Sequence, residues 1–284
     1  MVKIGTHVSS SKSLDLVFDR GKEVGAQTIQ FFVSSPRSWK WKERSDYEKR
    51  LFKEKKIKTG ISPTVVHSSY LFNLASGDKD LRKKSIEGVI NELKLCEELD
   101  IDFYVIHAGK SKGLPEETAV KNIIDSLKEV FSVVKPKNTV FLFETLAGQK
   151  GEIGKSTEEL VKLMEPFSKE KVGVCLDTCH LYSAGYRINQ EEGFYSYKEE
   201  LDKLIGLENV HVIHCNDSKT PFNSRKDRHQ HIGEGYIGYK GFELFLNDDY
   251  FSKLPFILET PKVGNWDTIN MERLKSLIKA PVAQ

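Results

Sequence analysis

Eight short apolar runs recur along the chain, and longer amphipathic segments separate them. Successive residues within each run are apolar, which is typical of strands buried on both faces. Strands joined through helices pair in parallel by right-handed crossovers, and eight such units close naturally into a barrel. No linker or low-complexity segment interrupts the series, so we predict one α/β domain over residues 1–284, a (β/α)8 TIM barrel with its active site at the C-terminal face of the strands. The predicted strands are Val2–Thr6, Thr28–Val33, Thr64–Val66, Phe103–Ile106, Val140–Phe143, Val172–Leu176, Val210–Ile213 and Phe256–Leu258.

The amphipathic segments carry recognisable helix starts. Pro115 fits the first turn of a helix, because an amide hydrogen at this position would have no partner within the helix and proline lacks one. A serine followed three residues later by glutamate fits a capping box, in which each side chain accepts from the other residue's free amide. Three pairs have this spacing, Ser45 with Glu48, Ser156 with Glu159, and Ser196 with Glu199. One helix face is predicted to carry Leu81, Ile86, Val89, Leu93 and Cys96.

Composition restricts the class of protein and its compartment. The 284 residues are 39% hydrophobic and 30% charged with a net charge of +2, which suits a globular protein and neither demands nor excludes a polyanionic partner. The four cysteines form no CxxC pair, which favours a reducing compartment. The opening MVKIGTHVSS lacks a signal-peptide pattern, and no apolar run reaches membrane-spanning length. We therefore expect a cytoplasmic monomer without a membrane partner.

Six successive apolar runs end in a histidine or an acidic residue. In a barrel all six ends open onto the face where active sites of this fold lie. A buried carboxylate without compensation is costly, and a metal cation is the natural compensation. A mixture of His, Asp and Glu suits zinc or a similar first-row ion. The six residues are His67, His107, Glu144, Asp177, His214 and Glu259.

Further donors stand beside these strand ends. His180 follows Asp177 by three positions, and the segment KDRHQH supplies Asp227 and His229. Nine donors exceed the three or four that one zinc needs, so two or three ions with a shared carboxylate are expected. Neighbouring divalent ions are typical of phosphoester hydrolysis. The segment lies in the longest irregular stretch, Thr220–Tyr239, which we predict to be a functional loop.

Three nearby residues are not included among the donors. His231 has an open role, and Cys179 is interpreted as a small packing residue rather than a thiolate ligand. His7 ends the first predicted strand and is expected near the substrate phosphate. His211 begins a strand, and we therefore expect it at the opposite end of the barrel.

The sequence resembles a known family over essentially its whole length. HSSYLFNLAS, HAGK, ETLAGQKGEIG, GVCLDTCH, HCNDSK, DRHQHIGEG and ILET are similar, in that order, to the motifs of the endonuclease IV family of apurinic/apyrimidinic endonucleases. The resemblance implies a TIM barrel with three zinc ions. It also implies base excision repair activity, in which the phosphodiester 5′ to an abasic site in duplex DNA is hydrolysed to leave 3′-hydroxyl and 5′-deoxyribose phosphate ends.

The resemblance also implies a role for each matching residue. Glu144 would be the shared ligand, and Glu259 would orient or deprotonate the nucleophile. Residues that probe the gap in the DNA would be Arg37, Tyr70 and Leu71, and nearby lysines would contact phosphates. The implied zinc ligands are His67, His107 and Glu144 for the first ion, Glu144, Asp177, His214 and Glu259 for the second, and His180, Asp227 and His229 for the third; the lysines are Lys110, Lys112, Lys150 and Lys219.

Two other functions remain open on sequence grounds. A sugar isomerase or epimerase of the xylose-isomerase-like group holds one divalent ion with Glu, Asp, His and Glu at strand ends, and four of the nine donors fit that arrangement alone. The other five donors argue against it. A damage-binding module with structural zinc is the non-enzymatic alternative, but structural zinc sites are usually closed and rich in thiolates.

Overall fold

Eight parallel strands close into a barrel, which confirms the predicted fold. The protein is described by a computed structural model that covers residues 2–279. Around the barrel the chain order is β1, β2, β3, β4, β5, β6, β7 and β10, while β8 and β9 form a separate antiparallel hairpin. The strands are β1 Lys3–His7, β2 Thr28–Phe31, β3 Thr64–His67, β4 Phe103–Ile106, β5 Val140–Glu144, β6 Val172–Asp177, β7 Val210–His214, β8 Asp217–Ser218, β9 His229–Gln230 and β10 Pro255–Leu258.

Helices surround the barrel and alternate with its strands. They are α1 Leu16–Glu23, α2 Asp46–Thr59, α3 Lys79–Glu98, α4 Glu116–Val133, α5 Thr157–Met164, α6 Thr178–Ala184, α7 Glu191–Leu204, α8 Gly238–Leu246 and α9 Trp266–Ser276. Short 3-10 turns occur at Glu165–Phe167, Leu207–Asn209 and Phe251–Lys253. Between residues 2 and 279, no helix combines the length and the apolar character that a membrane crossing requires.

The first predicted capping box forms, and the second forms only in part. Ser45 accepts from the backbone of Glu48, and the Glu48 carboxylate accepts from the backbone of Ser45. Ser156 likewise caps α5 by accepting from the backbone of Glu159. The Glu159 carboxylate, however, accepts from the backbone amide of Gly154 at 2.7 Å instead of returning to Ser156. This carboxylate therefore stabilises the preceding loop rather than the helix start.

The third predicted helix start is wrong. Helix α7 begins at Glu191 after Gln190, so Ser196 lies inside the helix. Serine and glutamate at this spacing also lie on one face within a helix, and the pattern alone does not distinguish the two positions. Pro115 is the residue immediately before α4, one position earlier than predicted.

Helix α3 packs its predicted face against the barrel. Ile86, Val89, Leu93 and Cys96 are buried, and Leu81 at the start of the helix is partly exposed. The helix therefore has a fixed orientation relative to the strands, and this orientation also fixes the position of the residues in its C-terminal half.

The barrel has two apolar layers. One lies between the strands and the helices, and a smaller one lies inside the barrel. Each inner residue precedes a strand-end donor by two positions. Alternate residues of a strand face the same side, so this spacing directs all six donors towards the barrel axis. The inner residues are Val65, Val105, Leu142, Cys175, Val212 and Ile257.

The predicted long loop has more order than its composition indicates. Strand β9 lies within it and pairs with β8, with Ser218 opposite His229. The carboxylate of buried Asp217 accepts from the backbone amides of Ser218, Gly233, Gly235 and Ile237 at 2.8 to 3.1 Å. These bonds fix both ends of the segment that carries Asp227.

Candidate metal centre

All nine donor residues predicted from the sequence converge at the C-terminal end of the barrel. Their ligand atoms form three groups of the kind that could hold a metal ion, and within each group every atom lies within 4.8 Å of the others. The groups are His67, His107 and Glu144; Glu144, Asp177, His214 and Glu259; and His180, Asp227 and His229.

The first group lies where β3, β4 and β5 end. Nε2 of His67 and Nε2 of His107 each lie 3.2 Å from Oε2 of Glu144. The side chains of Glu144 and His67 are almost fully buried, whereas 27% of the His107 side chain is exposed. This group therefore has one side that is open to a ligand from solvent.

The second group lies at the centre of the barrel mouth. Nδ1 of His214 lies 3.1 Å from Oε2 of Glu259, 3.3 Å from Oε1 of Glu144 and 3.9 Å from Oδ2 of Asp177. Glu144 directs Oε2 to the first group and Oε1 to the second. It is thus placed as a bridge between them.

The third group joins α6 to the loop segment after β8. Nε2 of His180 and Nε2 of His229 both lie 3.3 Å from Oδ1 of Asp227. Asp177 caps α6 by accepting from the His180 amide at 2.8 Å, which fixes the first turn that carries this histidine. Oδ2 of Asp177 also lies 3.5 Å from Nε2 of His229, so the second and third groups adjoin.

Hydrogen bonds fix which nitrogen of three donor histidines faces its group. Nδ1 of His67, His180 and His229 lies 2.8 to 3.2 Å from a backbone carbonyl oxygen, of Ser68, Thr145 and Glu259 respectively. A carbonyl can only accept, so Nδ1 carries the proton and the lone pair of Nε2 faces the group. A second partner of this kind is the usual companion of a metal-ligating histidine.

Several of the facing atoms have no hydrogen-bond partner among residues 2–279. They are Oε1 of Glu144, Nδ1 of His214, and Nε2 of His180 and of His229, and all are buried. A buried polar atom without a partner is rare and costly. Nitrogen and oxygen ligands directed at common points, without thiolates, match a zinc centre, so the residues fit the ion that the resemblance implies.

The charged side chains of the three donor groups shift one another's pKa values. Burial opposes ionisation of Glu144, but the imidazoles of His107 and His214 outweigh burial and hold the pKa of this carboxyl well below its ordinary value. Burial likewise opposes charge on His180, yet Asp177 and Asp227 outweigh it and raise the pKa of this imidazole. Histidine ligates a metal in its neutral form, so binding of a cation would displace protons from the cluster.

Sequence reasoning missed Gln30, which lies on β2 between the apolar Ile29 and Phe31. Its Nε2 donates to Oε1 of Glu259 at 2.7 Å, and its Oε1 accepts from Nε2 of His214 at 2.7 Å. Gln30 therefore orients two predicted ligands at once. A single polar residue within an otherwise apolar strand was the available signal.

Asn216 was missed for a similar reason. Its Nδ2 donates to Oδ2 of Asp177 at 2.7 Å, and its Oδ1 accepts from the Glu259 amide at 2.7 Å. It stands two residues after His214 in HCNDS, beyond the strand end that the apolar run predicts. Asn216 connects the ends of three barrel strands.

The residues left outside the donor set occupy distinct positions. His7 lies beside the second group, with Nδ1 3.9 Å from Oε1 of Glu259, and burial lowers its pKa to about 3. His231 stacks on Trp266 with ring centroids 3.9 Å apart. His211 lies at the N-terminal start of β7, as expected, and stacks on Phe103.

Cys179 has the position of a ligand but the chemistry of a packing residue. Its sulfur lies within 4.8 Å of donor atoms of Asp177 and His229. Its thiol donates to the carbonyl oxygen of Arg228 at 3.6 Å, and burial raises its pKa to about 12. The hydrogen bond directs this thiol at a loop carbonyl, which supports the interpretation as a packing residue.

The three predicted DNA-probing residues lie on loops at the same end of the barrel. Arg37 follows β2 and is exposed, and Tyr70 and Leu71 follow β3, with 59% of Tyr70 exposed. The Tyr70 ring packs on the edge of Phe32 and lies 5.4 Å from the His67 ring. A cavity of about 470 Å³ extends from Tyr70 and Leu71 to His67 and His107 of the first group.

The predicted phosphate-binding lysines also lie at this end. Lys110, Lys112, Lys150 and Lys219 are exposed or follow strand ends directly. Nζ of Lys110 forms an ion pair with Oε1 of Glu152 at 3.1 Å, while Lys110 and Lys112 border the cavity. Two of the four lysines therefore lie at the cavity that reaches the first donor group.

Comparison with known proteins identifies the family. A family model described as a xylose isomerase-like TIM barrel matches residues 18–280. Probable endonuclease 4 of Persephonella marina is 77% identical over 285 aligned positions, which cover 100% of both chains. Endonuclease IV from Thermus thermophilus has a crystal structure with 30% identity and a TM-score of 0.86, covering 97% of this chain and 98% of that one.

A likeness to sugar epimerases extends only to the fold. A D-tagatose 3-epimerase-like protein superposes with a TM-score of 0.73 at 20% identity, covering 97% of this chain and 96% of that one. The full-length identity to an endonuclease 4 is of a different order. The chain accordingly belongs to the endonuclease IV family of xylose isomerase-like TIM barrels.

Proposed function

We propose that this chain is a zinc-dependent endonuclease of base excision repair. Its reaction would hydrolyse the phosphodiester 5′ to an abasic site in duplex DNA and leave 3′-hydroxyl and 5′-deoxyribose phosphate ends. The observation that carries this proposal is the convergence of three donor groups at one end of the barrel, with Glu144 shared by two of them. Membership of the endonuclease IV family supports it further.

We propose three zinc ions, one for each donor group. When bound, such neighbouring ions activate water at neutral pH and neutralise charge on the attacking and departing oxygens of an in-line displacement. The ligands are His67, His107 and Glu144 for the first ion, Glu144, Asp177, His214 and Glu259 for the second, and His180, Asp227 and His229 for the third.

The two glutamates have different roles in this proposal. Glu144 is fully buried and bridges two groups, so it fixes their spacing. Glu259 retains 11% side-chain exposure, and the amide of Gln30 fixes one of its oxygens. Glu259 orients the attacking water and accepts its proton, because it is the carboxylate of the second group that faces solvent most.

The DNA would be read by the loops around the donors. An abasic nucleotide leaves a gap in the base stack, and an aromatic ring and an aliphatic wedge are suited to fill it. Tyr70 and Leu71 supply these groups, and Arg37 supplies a cation for the backbone beside them. The cavity between Tyr70 and the first group offers room for a nucleotide turned out of the duplex.

Sugar isomerisation is the alternative that one observation favours. The group of Glu144, Asp177, His214 and Glu259 is by itself the arrangement expected for a single-ion isomerase or epimerase. The other two donor groups are unnecessary for that chemistry. Metal content therefore separates the two functions.

The deciding experiment combines metal analysis with a nicking assay. We expect about three zinc ions per chain and cleavage of an abasic duplex without added magnesium, with an intact duplex of the same sequence as control. Product ends are read by ligation and by mobility of labelled strands. One ion per chain together with ketose–aldose interconversion would establish the isomerase instead.

We also propose that the protein acts as a cytoplasmic monomer, associated with the nucleoid if the host is a prokaryote. All four cysteines are buried and free, which supports a reducing compartment. Light scattering after size exclusion should give a mass near 32.4 kDa. A stable dimer mass would contradict the monomer.

A further inference from the structure

A buried acidic residue outside the donor groups connects the two loops that carry the DNA-probing residues. Glu92 lies on α3 and is 1% exposed. The first loop, residues 32–45 between β2 and α2, carries Arg37; the second, residues 68–78 between β3 and α3, carries Tyr70 and Leu71. We call them the Arg37 loop and the Tyr70 loop.

The Glu92 carboxylate contacts both loops and the barrel. Ser34 of the Arg37 loop donates from Oγ to Oε1 at 2.5 Å. The backbone amide of Ser69, in the Tyr70 loop, lies near enough to the same carboxylate to oppose the rise of its pKa. The hydroxyl of Tyr104 on β4 donates to Oε2 at 2.9 Å. This carboxylate therefore bonds the Arg37 loop to a barrel strand and lies beside the Tyr70 loop.

The loops also contact each other directly beside this carboxylate. Oγ of Ser69 donates to the carbonyl oxygen of Pro36 at 3.2 Å, and the Leu71 amide donates to Oγ of Ser69 at 3.3 Å. Pro36 precedes Arg37, and Ser69 precedes Tyr70. Because of these bonds, a displacement of one loop would also displace the DNA-probing residues of the other loop.

The Arg37 loop also makes apolar contacts. Val33 is buried in the core, Trp41 packs against the core, and the Trp39 ring lies 5.9 Å from the Phe72 ring. A cavity of about 310 Å³ separates the loop from α3, and it is bordered by Trp39, Trp41 and Phe72. Residues 37–40 are exposed. The bond between Ser34 and Glu92 therefore adds a buried polar contact at the base of this loop to the apolar contacts of its tryptophans.

The carboxylate is also an expensive way to fill this position. Its donors are the neutral hydroxyls of Ser34 and Tyr104, and burial raises the pKa of Glu92 to about 7. A buried acid whose hydrogen-bond partners are all neutral opposes folding. The presence of a carboxylate at position 92 is therefore better explained by the loop that it holds in place than by packing.

We propose that Glu92 is a positioning residue for DNA recognition, which holds the Arg37 loop and the Tyr70 loop in one arrangement so that they engage the damaged duplex together. This inference rests on the proposed endonuclease function. It concerns binding of the distorted DNA and leaves the hydrolytic centre itself unchanged.

The test is a split between KM and kcat for nicking of an abasic duplex. Glu92→Ala should raise KM by roughly tenfold, the size expected when a hydrogen bond to a charged group is lost. Its kcat and zinc content should stay as in the wild type. Glu92→Gln should recover most of the loss, because its amide oxygen still accepts from the loops.

Two further variants keep the test decisive. Ser34→Ala removes one donor without altering α3, and it should raise KM in the same direction even if Glu92→Ala folds poorly. Glu97→Gln is the matched control, since Glu97 lies on the same helix but accepts from the backbone of residues 137–139 at the opposite end of the barrel. It should leave KM unchanged.

Coupling between the loops gives an independent readout. In the wild-type background, the effects of Arg37→Ala and Tyr70→Ala on KM should be non-additive; in the Glu92→Ala background they should become additive. Unchanged KM in Glu92→Ala, or a loss confined to kcat or to zinc, would overturn this inference alone. A wild-type protein that does not nick abasic DNA would overturn the proposed function and the inference with it.

Discussion

Oε1 of Glu144 and Nδ1 of His214 face each other at 3.3 Å, and neither atom has a hydrogen-bond partner among residues 2–279. Two buried polar atoms at this distance normally satisfy each other. Here the lone pairs converge on a third point instead, as ligands of one cation do. Of the described residues, Glu144 is also the only carboxylate that the first two donor groups share.

Glu144→Ala should remove two zinc ions and abolish nicking. Both the first and second groups lose a ligand, and their remaining histidines and carboxylates lose the charge between them. Mass spectrometry of metals should find about one ion per chain, in the third group. Glu97→Gln, which removes a carboxylate far from the donors, should retain all the zinc. Full turnover by Glu144→Ala would disprove the bridging role.

Arg37→Ala should weaken incision while leaving zinc content unchanged. Arg37 is exposed on its loop and is not a member of any donor group, so we expect its contribution to lie in binding DNA. We expect incision efficiency to fall by about thirtyfold, the size of a strong interface truncation. Arg50→Ala, which removes an exposed arginine of α2, is the control. Loss of zinc from Arg37→Ala would show a structural role instead.

Gln30→Leu should weaken zinc binding by about tenfold to a hundredfold, the usual effect of losing a residue that orients metal ligands. The leucine preserves volume but removes the bonds to His214 and Glu259. Competition with a chelator measures the change. Gln27→Leu, just before the same strand, should bind zinc normally. Equal affinities for the two variants would remove Gln30 from the centre.

Asp217→Asn should loosen the segment that carries Asp227 and His229. The aspartate accepts from four backbone amides, and an asparagine presents donors to some of them. We expect one zinc ion per chain to be lost and two to remain. Asp248→Asn alters a buried aspartate that caps a different loop, and it should keep all three. Loss of every ion from Asp217→Asn would mean that the loop supports the whole centre.

Glu97 should make stability depend on acid pH. Burial opposes its ionisation, but the amides of Thr139, Lys137 and Asn138 outweigh burial and hold its pKa below the ordinary 4.5. The unfolded chain then binds the proton more tightly, so the stabilisation is complete above pH 4.5 and is lost as pH falls through the folded pKa. Urea unfolding of metal-free protein should show a gap between wild type and Glu97→Gln that narrows in acid. A constant gap would contradict the shift.

The strand-end donors were predictable because each follows an apolar run whose parallel pairing is forced by the intervening helix. His67 and Glu144 are 77 positions apart, yet barrel closure brings them together without any local signal. Gln30 was not predicted, because its value depends on facing His214 and Glu259, which only the closed ring reveals. Periodicity shows where a strand lies but not which polar neighbour a buried amide meets.

Local patterns failed where two structures share one spacing. Serine and glutamate three apart cap α2 at Ser45, but the same pattern at Ser196 lies inside α7. The loop after β7 was predicted as irregular because glycine and charge dominate it, while its order depends on one buried aspartate, Asp217. Composition does not encode such a long-range anchor.

The two-residue interval between the inner apolar layer and the donor ring has an evolutionary consequence. Adding one residue between Leu142 and Glu144 would turn the carboxylate outward into the helices, whereas adding two would restore its direction. Length variation in these strands among relatives should therefore be restricted to even steps, a restriction that does not apply to the connecting loops. The parity of a strand, as much as the identity of its last residue, is inherited.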